Sequence, residues 1–290
     1  MNNNDKNNGV NKSVINWYPG HMAKTKRQIQ ETLNLIDIVL EVIDARIPKS
    51  SKIIDMQDII KKKPCILIMT KYDLCDKEET QKWIVYYEQL GYKVVALDLL
   101  KDSLTPIYQK INEMMIDIHK KRESKGMIKR KARILVVGIP NVGKSTLINK
   151  FVGRKVASIG NKPGITKNLS WIRINKDLEL LDTPGILWPK FEQKTSYNLA
   201  ALTAIKEEVL PIDSVCIYLL ETLYAYYPKL LKERYGIEVW DDDVCVLLEQ
   251  IGSKRGCLAK GGVVDYDKVY TLLLKEVKEG ILKNITLDKI

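Results

Sequence analysis

Short apolar runs alternate with segments of helical spacing through the first two thirds of the chain. Residues 36–44 (IDIVLEVID), 65–69 (CILIM, introduced by Pro64), 93–98 (KVVALD) and 133–137 (RILVV) are too short for helices. Their β-branched content predicts strands. Apolar residues recur at helical spacing over 23–35, 78–90 and 104–121, and a fourth helix opens at 144–151. Nearly continuous apolar strands alternating with helices predict a mostly parallel sheet covered on both faces. Two further strands, 169–174 and 178–181, flank the turn Asn175-Lys176-Asp177 and predict a hairpin at the sheet edge. After Pro184-Gly185 the pattern is helical throughout, over 195–209, 212–227, 229–235, 242–251 and 265–282, and no strand is expected there. The chain therefore divides into a polar, Asn-rich, disordered start (1–13), an α/β domain (14–189) and an all-helical domain (190–290).

Composition narrows the class. Of 290 residues, 45% are hydrophobic and 29% charged, an ordinary globular balance that excludes collagen, coiled coil and global disorder. No apolar run is long enough to span a membrane, and the polar start lacks the apolar core of a secretory signal. Five scattered cysteines without metal spacing predict reduced thiols and a cytoplasmic protein. The net charge of +11 is uneven: residues 190–290 carry −2 and the first 189 carry +13. The first part is thus the expected face for a polyanion. Its densest basic run, 119–133 (HKKRESKGMIKRKAR), reads either as a solvated helix end or as phosphate-backbone contacts, and charge alone leaves both open.

The chemistry concentrates in four loops. Gly138 to Ser145 reads GIPNVGKS, a phosphate loop between a strand and a helix. Gly138 and Gly143 let backbone N–H groups turn toward phosphate oxygens, and the helix start adds partial positive charge. Lys144 is placed to reach the β and γ phosphates, and the Ser145 hydroxyl to ligate Mg²⁺. Asp182-Thr183-Pro184-Gly185 ends a strand, so Asp182 can hold a magnesium-bound water and the Gly185 N–H can meet the γ-phosphate. In the 162–167 stretch, Thr166 is a second candidate hydroxyl for the metal. At the end of 65–69 stands Thr70-Lys71-Tyr72-Asp73. The Asp73 carboxylate can accept from N1–H and the exocyclic amine of guanine, a pair adenine does not offer. Lys71 can lay its stem over the base.

The base motif normally follows the phosphate loop, but here it precedes it. That permuted order, with WYPGHMAK, IDIVLEVIDARIPKSS, GIPNVGKSTLIN, PGITK, LELLDTPGILWPKFE, LKERYG and KRGCLAKGG, resembles the YlqF family of bacterial ribosome-assembly factors, within the translation-factor-like GTPases. The resemblance covers essentially the whole chain. It implies a three-layer, circularly permuted P-loop GTPase fold with a C-terminal helical domain that binds RNA or the ribosome. It implies a monomeric GTP hydrolase, stimulated by the ribosomal particle, acting late on the precursor of the large ribosomal subunit and its rRNA. Asn141, Val142, Gly143, Lys144, Ser145 and Thr146 would hold the triphosphate, and Thr70, Lys71 and Asp73 the base. Asp98 and Leu99 occupy the loop that closes over guanine, and Gly185 would sit at the γ-phosphate. Ser145, Thr166 and Asp182 would serve Mg²⁺, and Asn141 marks members that are often potassium-activated.

Three departures stand out. Thr70 replaces the usual Asn, whose amide braces the phosphate loop, so weaker nucleotide binding is expected. The base-closing loop (ALDLL) lacks small polar residues. Ile186 occupies the place where many relatives carry a water-orienting Gln, and an alkyl chain cannot orient water. His21 is the internal candidate for that task beside Lys144; capping or packing a turn is its other reading. Since the tail follows Gly185 directly, it is expected to move with the nucleotide switch as a clamp on rRNA. In the tail, Lys232, Arg234, Lys254, Arg255 and Lys260 read as phosphate contacts or solvated charges, Cys257 as packing, and Tyr224, Tyr226 and Tyr227 as base-stacking or boundary packing. Two other classes compete: a nucleotide-gated RNA-binding module with little hydrolysis, and an ATP-dependent kinase, against which Asp73 argues.

Overall fold

Strands that are apolar on both faces along most of their length can be satisfied only between two covered faces, and that condition organises the molecule. The computed structural model describes residues 15–16, 20–155, 169–185, 190–202, 211–239, 241 and 243–290. In chain order its elements begin with β1 (Ile15–Asn16), α1 (Gly20–Thr32), β2 (Ile38–Asp44), α2 (Gln57–Ile60), β3 (Cys65–Thr70) and α3 (Lys77–Gln89). They continue with β4 (Lys93–Ala96), α4 (Thr105–Glu123), β5 (Ala132–Val137), α5 (Lys144–Val152), β6 (Ser170–Arg173) and β7 (Leu178–Asp182). The remainder is β8 (Lys190–Phe191), α6 (Gln193–Leu202), α7 (Ile212–Tyr226), α8 (Pro228–Tyr235), α9 (Val244–Arg255) and α10 (Tyr266–Lys278).

The main sheet has six strands in the order β4-β3-β2-β5-β7-β6. All neighbours are parallel except the edge pair β6–β7, the expected hairpin. Every residue of β2 is buried. Its one charged mid-strand side chain, Glu41, accepts from Lys52 Nζ (2.6 Å), Ile53 N–H (3.1 Å) and Gln57 Nε2 (3.1 Å), so the buried carboxylate is fully partnered. Aspartates set several helix starts: Asp76 caps α3, Asp243 caps α9 and Asp265 caps α10, each accepting a backbone N–H.

Two features depart from expectation. The short helical turns over 54–60 have too few residues to carry a period. A strand does follow Gly185: β8 pairs antiparallel with β1, Ile15 opposite Phe191. Two-residue strands have no alternation to read, and only the tertiary fold brings them together. The expected helix over 195–209 is α6 as far as Leu202; 203–210 and the Asn-rich 1–13 lie outside the described residues.

Helices α6 to α10 pack on one another, and the chain end then returns to the sheet. Asn284 N–H donates to Leu74 O and Leu287 N–H to Arg46 O, both at 2.8 Å. Buried Asp288 accepts from Ser50 N–H and Oγ (2.7 Å each) and from Asn198 Nδ2 (2.8 Å). The helical region is therefore fastened to the sheet by this returning segment as well as through residues that follow Gly185.

Candidate nucleotide site

β2, β3 and β5 run side by side and parallel, so the loops that leave them gather at one edge of the sheet. The phosphate loop leaves β5 there and enters α5. A Cβ on Gly138 would lie 2.5 Å from Val42 O of the neighbouring strand, so only glycine fits this approach. Gly143 has φ +99° and starts α5 from the left-handed region. Ser145 and Thr146 follow in the first turn of α5, half-buried.

Lys144 is buried, and its Nζ donates to Ile139 O at 2.8 Å. Burial pulls its pKa down to about 8, against the attraction of the Asp182 carboxylate. Asp182, at the end of β7, is buried too, and burial pushes its pKa up to about 6 although Lys144 and the Thr183 N–H oppose the shift. Its Oδ1 is a buried acceptor without a partner. An orphaned carboxylate oxygen beside a phosphate loop, with a hydroxyl at Ser145, is the hard-oxygen donor set that suits Mg²⁺. Thr183 Oγ1 donates to Val136 O at 2.8 Å and ties this loop to β5. A Cβ on Gly185 would meet Pro140 N at 2.7 Å and Pro140 Cα at 2.8 Å, so the Asp182–Gly185 loop lies against the phosphate loop.

The base motif interlocks with the same loop from the other side. Thr70 Oγ1 stands 2.6 Å from Val142 O and 3.1 Å from Ile43 O, and its one hydrogen is directed to the nearer Val142 carbonyl or shared between the two. The brace expected to be lost with Asn is thus supplied by a hydroxyl. Lys71 has φ +57°, and its Nζ donates to Asn141 O (3.1 Å) and Asp44 Oδ2 (2.8 Å). Burial lowers the Lys71 pKa, and Asp44 counteracts it. Asp73 is exposed. Asp98 is buried; its Oδ1 accepts from Leu100 N–H, and its own N–H donates to Asp102 Oδ2, each at 2.8 Å. Leu99 is buried with its Cδ1 3.2 Å from where a Gly143 Cβ would lie, and its carbonyl accepts from Lys150 Nζ at 2.7 Å. Thr70, Lys71, Leu99, Asn141, Val142, Gly143, Lys144, Asp182 and Gly185 thus converge. Thr166 and Ile186 lie outside the described residues, as does the side chain of His21, whose backbone is in the first turn of α1.

Two residues escaped the sequence reading. Asp44 ends β2 fully buried and binds Arg46 through both oxygens, to Nε (3.0 Å) and Nη2 (2.9 Å), as well as Lys71. Burial alone would raise its pKa, but Arg46 and Lys71 together hold it well below the usual carboxylate range. Arg46, also fully buried, donates from Nη1 to Val277 O of α10 at 2.8 Å. The available signal was the pair of opposite charges in Asp44-Ala45-Arg46, directly after an apolar strand.

The basic runs resolve unevenly. Within 119–133, Lys129 pairs with Glu123, and Arg130 pairs with Asp37. Arg133 pairs with Glu179. In the tail, Arg234 and Arg255 share Glu276, and Lys232 pairs with Glu238. Cys257 is buried, and Tyr227 OH donates to Asp76 Oδ2 at 3.0 Å, a boundary contact. No helix among the described residues is long and apolar enough to cross a membrane.

Comparison with known proteins agrees with this geometry. A family described as 50S ribosome-binding GTPase matches residues 133–234. Ribosome biogenesis GTPase A of Priestia megaterium is 44% identical over 95% of this chain and 96% of its own length. The protein of that name from Thermotoga maritima is 31% identical over 95% and 94%. The structure of T. maritima YlqF bound to GNP superposes with a TM-score of 0.65 at 26% identity, covering 92% of this chain and 98% of that one. Its GDP-bound form gives 0.66, covering 91% and 99%. Permuted motif order, a mostly parallel sheet with a helical C-terminal region, and likeness along nearly the full length agree: the chain belongs to the ribosome biogenesis GTPase A family.

Proposed function

We propose that this chain binds GTP with Mg²⁺, hydrolyses it to GDP and phosphate, and acts late in large ribosomal subunit assembly on the precursor particle and its rRNA. The observation that carries this reading is the lock between Thr70-Lys71 and the carbonyls of Val142 and Asn141, beside the buried Lys144 and Asp182. A base motif remote in sequence and a phosphate loop form one rigid unit, as a nucleoside triphosphate requires.

Asp73 accepts the guanine edge while the Lys71 stem covers the base, and Leu99 and Asp98 form the adjoining wall. The backbone N–H groups of Asn141 to Thr146 and the Lys144 ammonium hold the phosphates. Lys144 meets charge developing on the transferred phosphoryl group, where burial strengthens the attraction. Ser145, Thr166 and Asp182 (the last through water) would hold Mg²⁺, which when bound neutralises phosphate oxygens. Asn141 is the potassium candidate. Gly185 reports the γ-phosphate to the residues after it. His21 orients water in place of the alkyl Ile186, and does so on the ribosomal particle.

The test is cosedimentation of the purified chain with immature large subunits in the presence of GDP or a non-hydrolysable GTP analogue, with turnover measured with and without particles. Retention with the analogue, release with GDP and particle-stimulated turnover support the reading. Equal retention, or displacement of bound nucleotide by ADP as readily as by GDP, overturns it. Turnover that stays near zero on particles favours the nucleotide-gated RNA-binding module. Single-turnover hydrolysis by His21→Ala tests the histidine: an unchanged particle-stimulated rate removes it.

A further inference from the structure

A second cleft, of about 830 Å³, lies at the opposite end of β3 from the nucleotide site. Pro64 and Cys65 open it at the start of β3, Gly91 and Tyr92 just before β4, and the last turns of α3 form a wall. Five steps along β3 take the chain from Cys65 in this cleft to Thr70, about 17 Å. Occupants of the two sites therefore share no atoms.

Among the described residues, the lining combines five lysines with four aromatic side chains and no Asp or Glu side chain. Lys52 is structural: its Nζ binds Glu41 and stands 4.1 Å from the Tyr92 ring centre. Lys49 and Lys61 are exposed, Lys63 is half-buried, and none of the three forms an ion pair among the described residues. In the 119–133 run, by contrast, Arg130 and Arg133 already hold carboxylates. The three like charges of Lys49, Lys61 and Lys63, unpaired among the described residues, raise the local potential and favour a polyanion.

The aromatic component narrows the polyanion. Tyr86 is 43% exposed at the cleft. It is held edge-on by Trp83 (5.5 Å between centres, 84° between planes) and by Tyr87 (5.3 Å, 66°), both buried. An exposed ring fixed by two buried rings is a pre-formed stacking surface. Single strands offer base faces to such a ring while lysines follow their phosphates. A duplex keeps its bases stacked inside and would use the lysines alone.

We propose that this cleft binds a single-stranded RNA segment, with Tyr86 stacking a base and Lys49, Lys61 and Lys63 on the phosphates. The inference rests on the reading above that the chain works on ribosomal RNA, and it adds a surface remote from the nucleotide. The test uses the full chain and a labelled, unstructured RNA of about a dozen nucleotides, within the usual span of single-strand sites. Fluorescence anisotropy is compared for wild type, Tyr86→Ala and the double variant Lys61→Glu/Lys63→Glu, and ultraviolet crosslinks are mapped. Tyr86 and Lys61 are exposed and Lys63 half-buried, and unchanged affinity for a GTP analogue verifies that the variants fold. Tyr86→Ala is expected to weaken RNA binding about tenfold, the loss of one stacked base. The lysine variant is expected to flatten the log–log salt dependence by about 1.4, two phosphate contacts on a single strand. Crosslinks should fall within 49–92 or at 289–290. Unchanged affinity in Tyr86→Ala, crosslinks elsewhere, or competition by duplex RNA or polyglutamate equal to that of the single strand overturns the proposal. If that happens while nucleotide-dependent cosedimentation with particles persists, the ribosomal function stands and only this surface is dismissed.

Discussion

Thr70 stands where the sequence resemblance leads one to expect an amide, yet its hydroxyl reaches the phosphate-loop carbonyl of Val142 at 2.6 Å. Thr70→Val keeps the shape and strands that buried carbonyl. It is expected to cost about 1–3 kcal/mol of stability in urea unfolding and to weaken GTP binding about tenfold. Thr70→Asn should retain binding. The same scale governs pH dependence. In the free protein, burial sets Asp182 to about 6 and Lys144 to about 8. Phosphate favours the charged lysine, so above the Lys144 value binding must take up a proton and affinity falls as pH rises. Mg²⁺ favours the ionised carboxylate, so below the Asp182 value binding must release a proton and affinity falls as pH drops. Titrating a GTP analogue across this range should give a plateau between the two values, with a slope approaching tenfold per pH unit outside it. Asp182→Asn should remove the acid limb.

At the level of elements, the site is made where loops meet. The phosphate loop is pressed from one side by the Asp182–Gly185 loop and from the other by Thr70 and Leu99. Gly185→Ala would set a Cβ 2.7 Å from the Pro140 backbone nitrogen, with no flexible side chain to yield. The switch loop must then withdraw. Single-turnover GTP hydrolysis is expected to fall at least about tenfold, a loss of about 1.4 kcal/mol of transition-state stabilisation. GDP affinity, which needs no γ-phosphate contact, should change little. Equal losses of GDP and GTP binding would mean that the glycine only supports the fold.

For the whole molecule, a continuous path of polar contacts runs from the phosphate loop through Lys71, Asp44 and Arg46 to Val277 of the helical region. All but Lys71 of these three charged residues is fully buried. Arg46→Met leaves Asp44 with one cation instead of two. Removing a partner from a buried pair costs about 3–5 kcal/mol, and Lys71 keeps the expected loss near the lower end. Hydrogen exchange should report the loss at the C-terminal end of α10 as well as globally. The double variant with Asp44→Asn should recover part of it. The expectation that the tail moves with the Gly185 switch meets a second tether here, because Arg46, Ser50 and Leu74 hold the returning segment 284–290. Any nucleotide-driven motion of the helices has to work against that seam.

The phosphate loop, the strands and the capped helices were legible because each is a local pattern: a glycine spacing, an apolar run, an aspartate before a helix. The base motif could be proposed from sequence too, since its residue types suit guanine. The hydroxyl brace of Thr70, the Asp44–Arg46–Lys71 cluster, the β1–β8 pair and the aromatic-lysine cleft were not, because each joins residues far apart in sequence whose spacing carries no period. Sequence determined which chemistry the loops could carry; the order of strands in the sheet decided which loops meet, because parallel strands deliver all their C-terminal ends to one edge whatever their order in the chain.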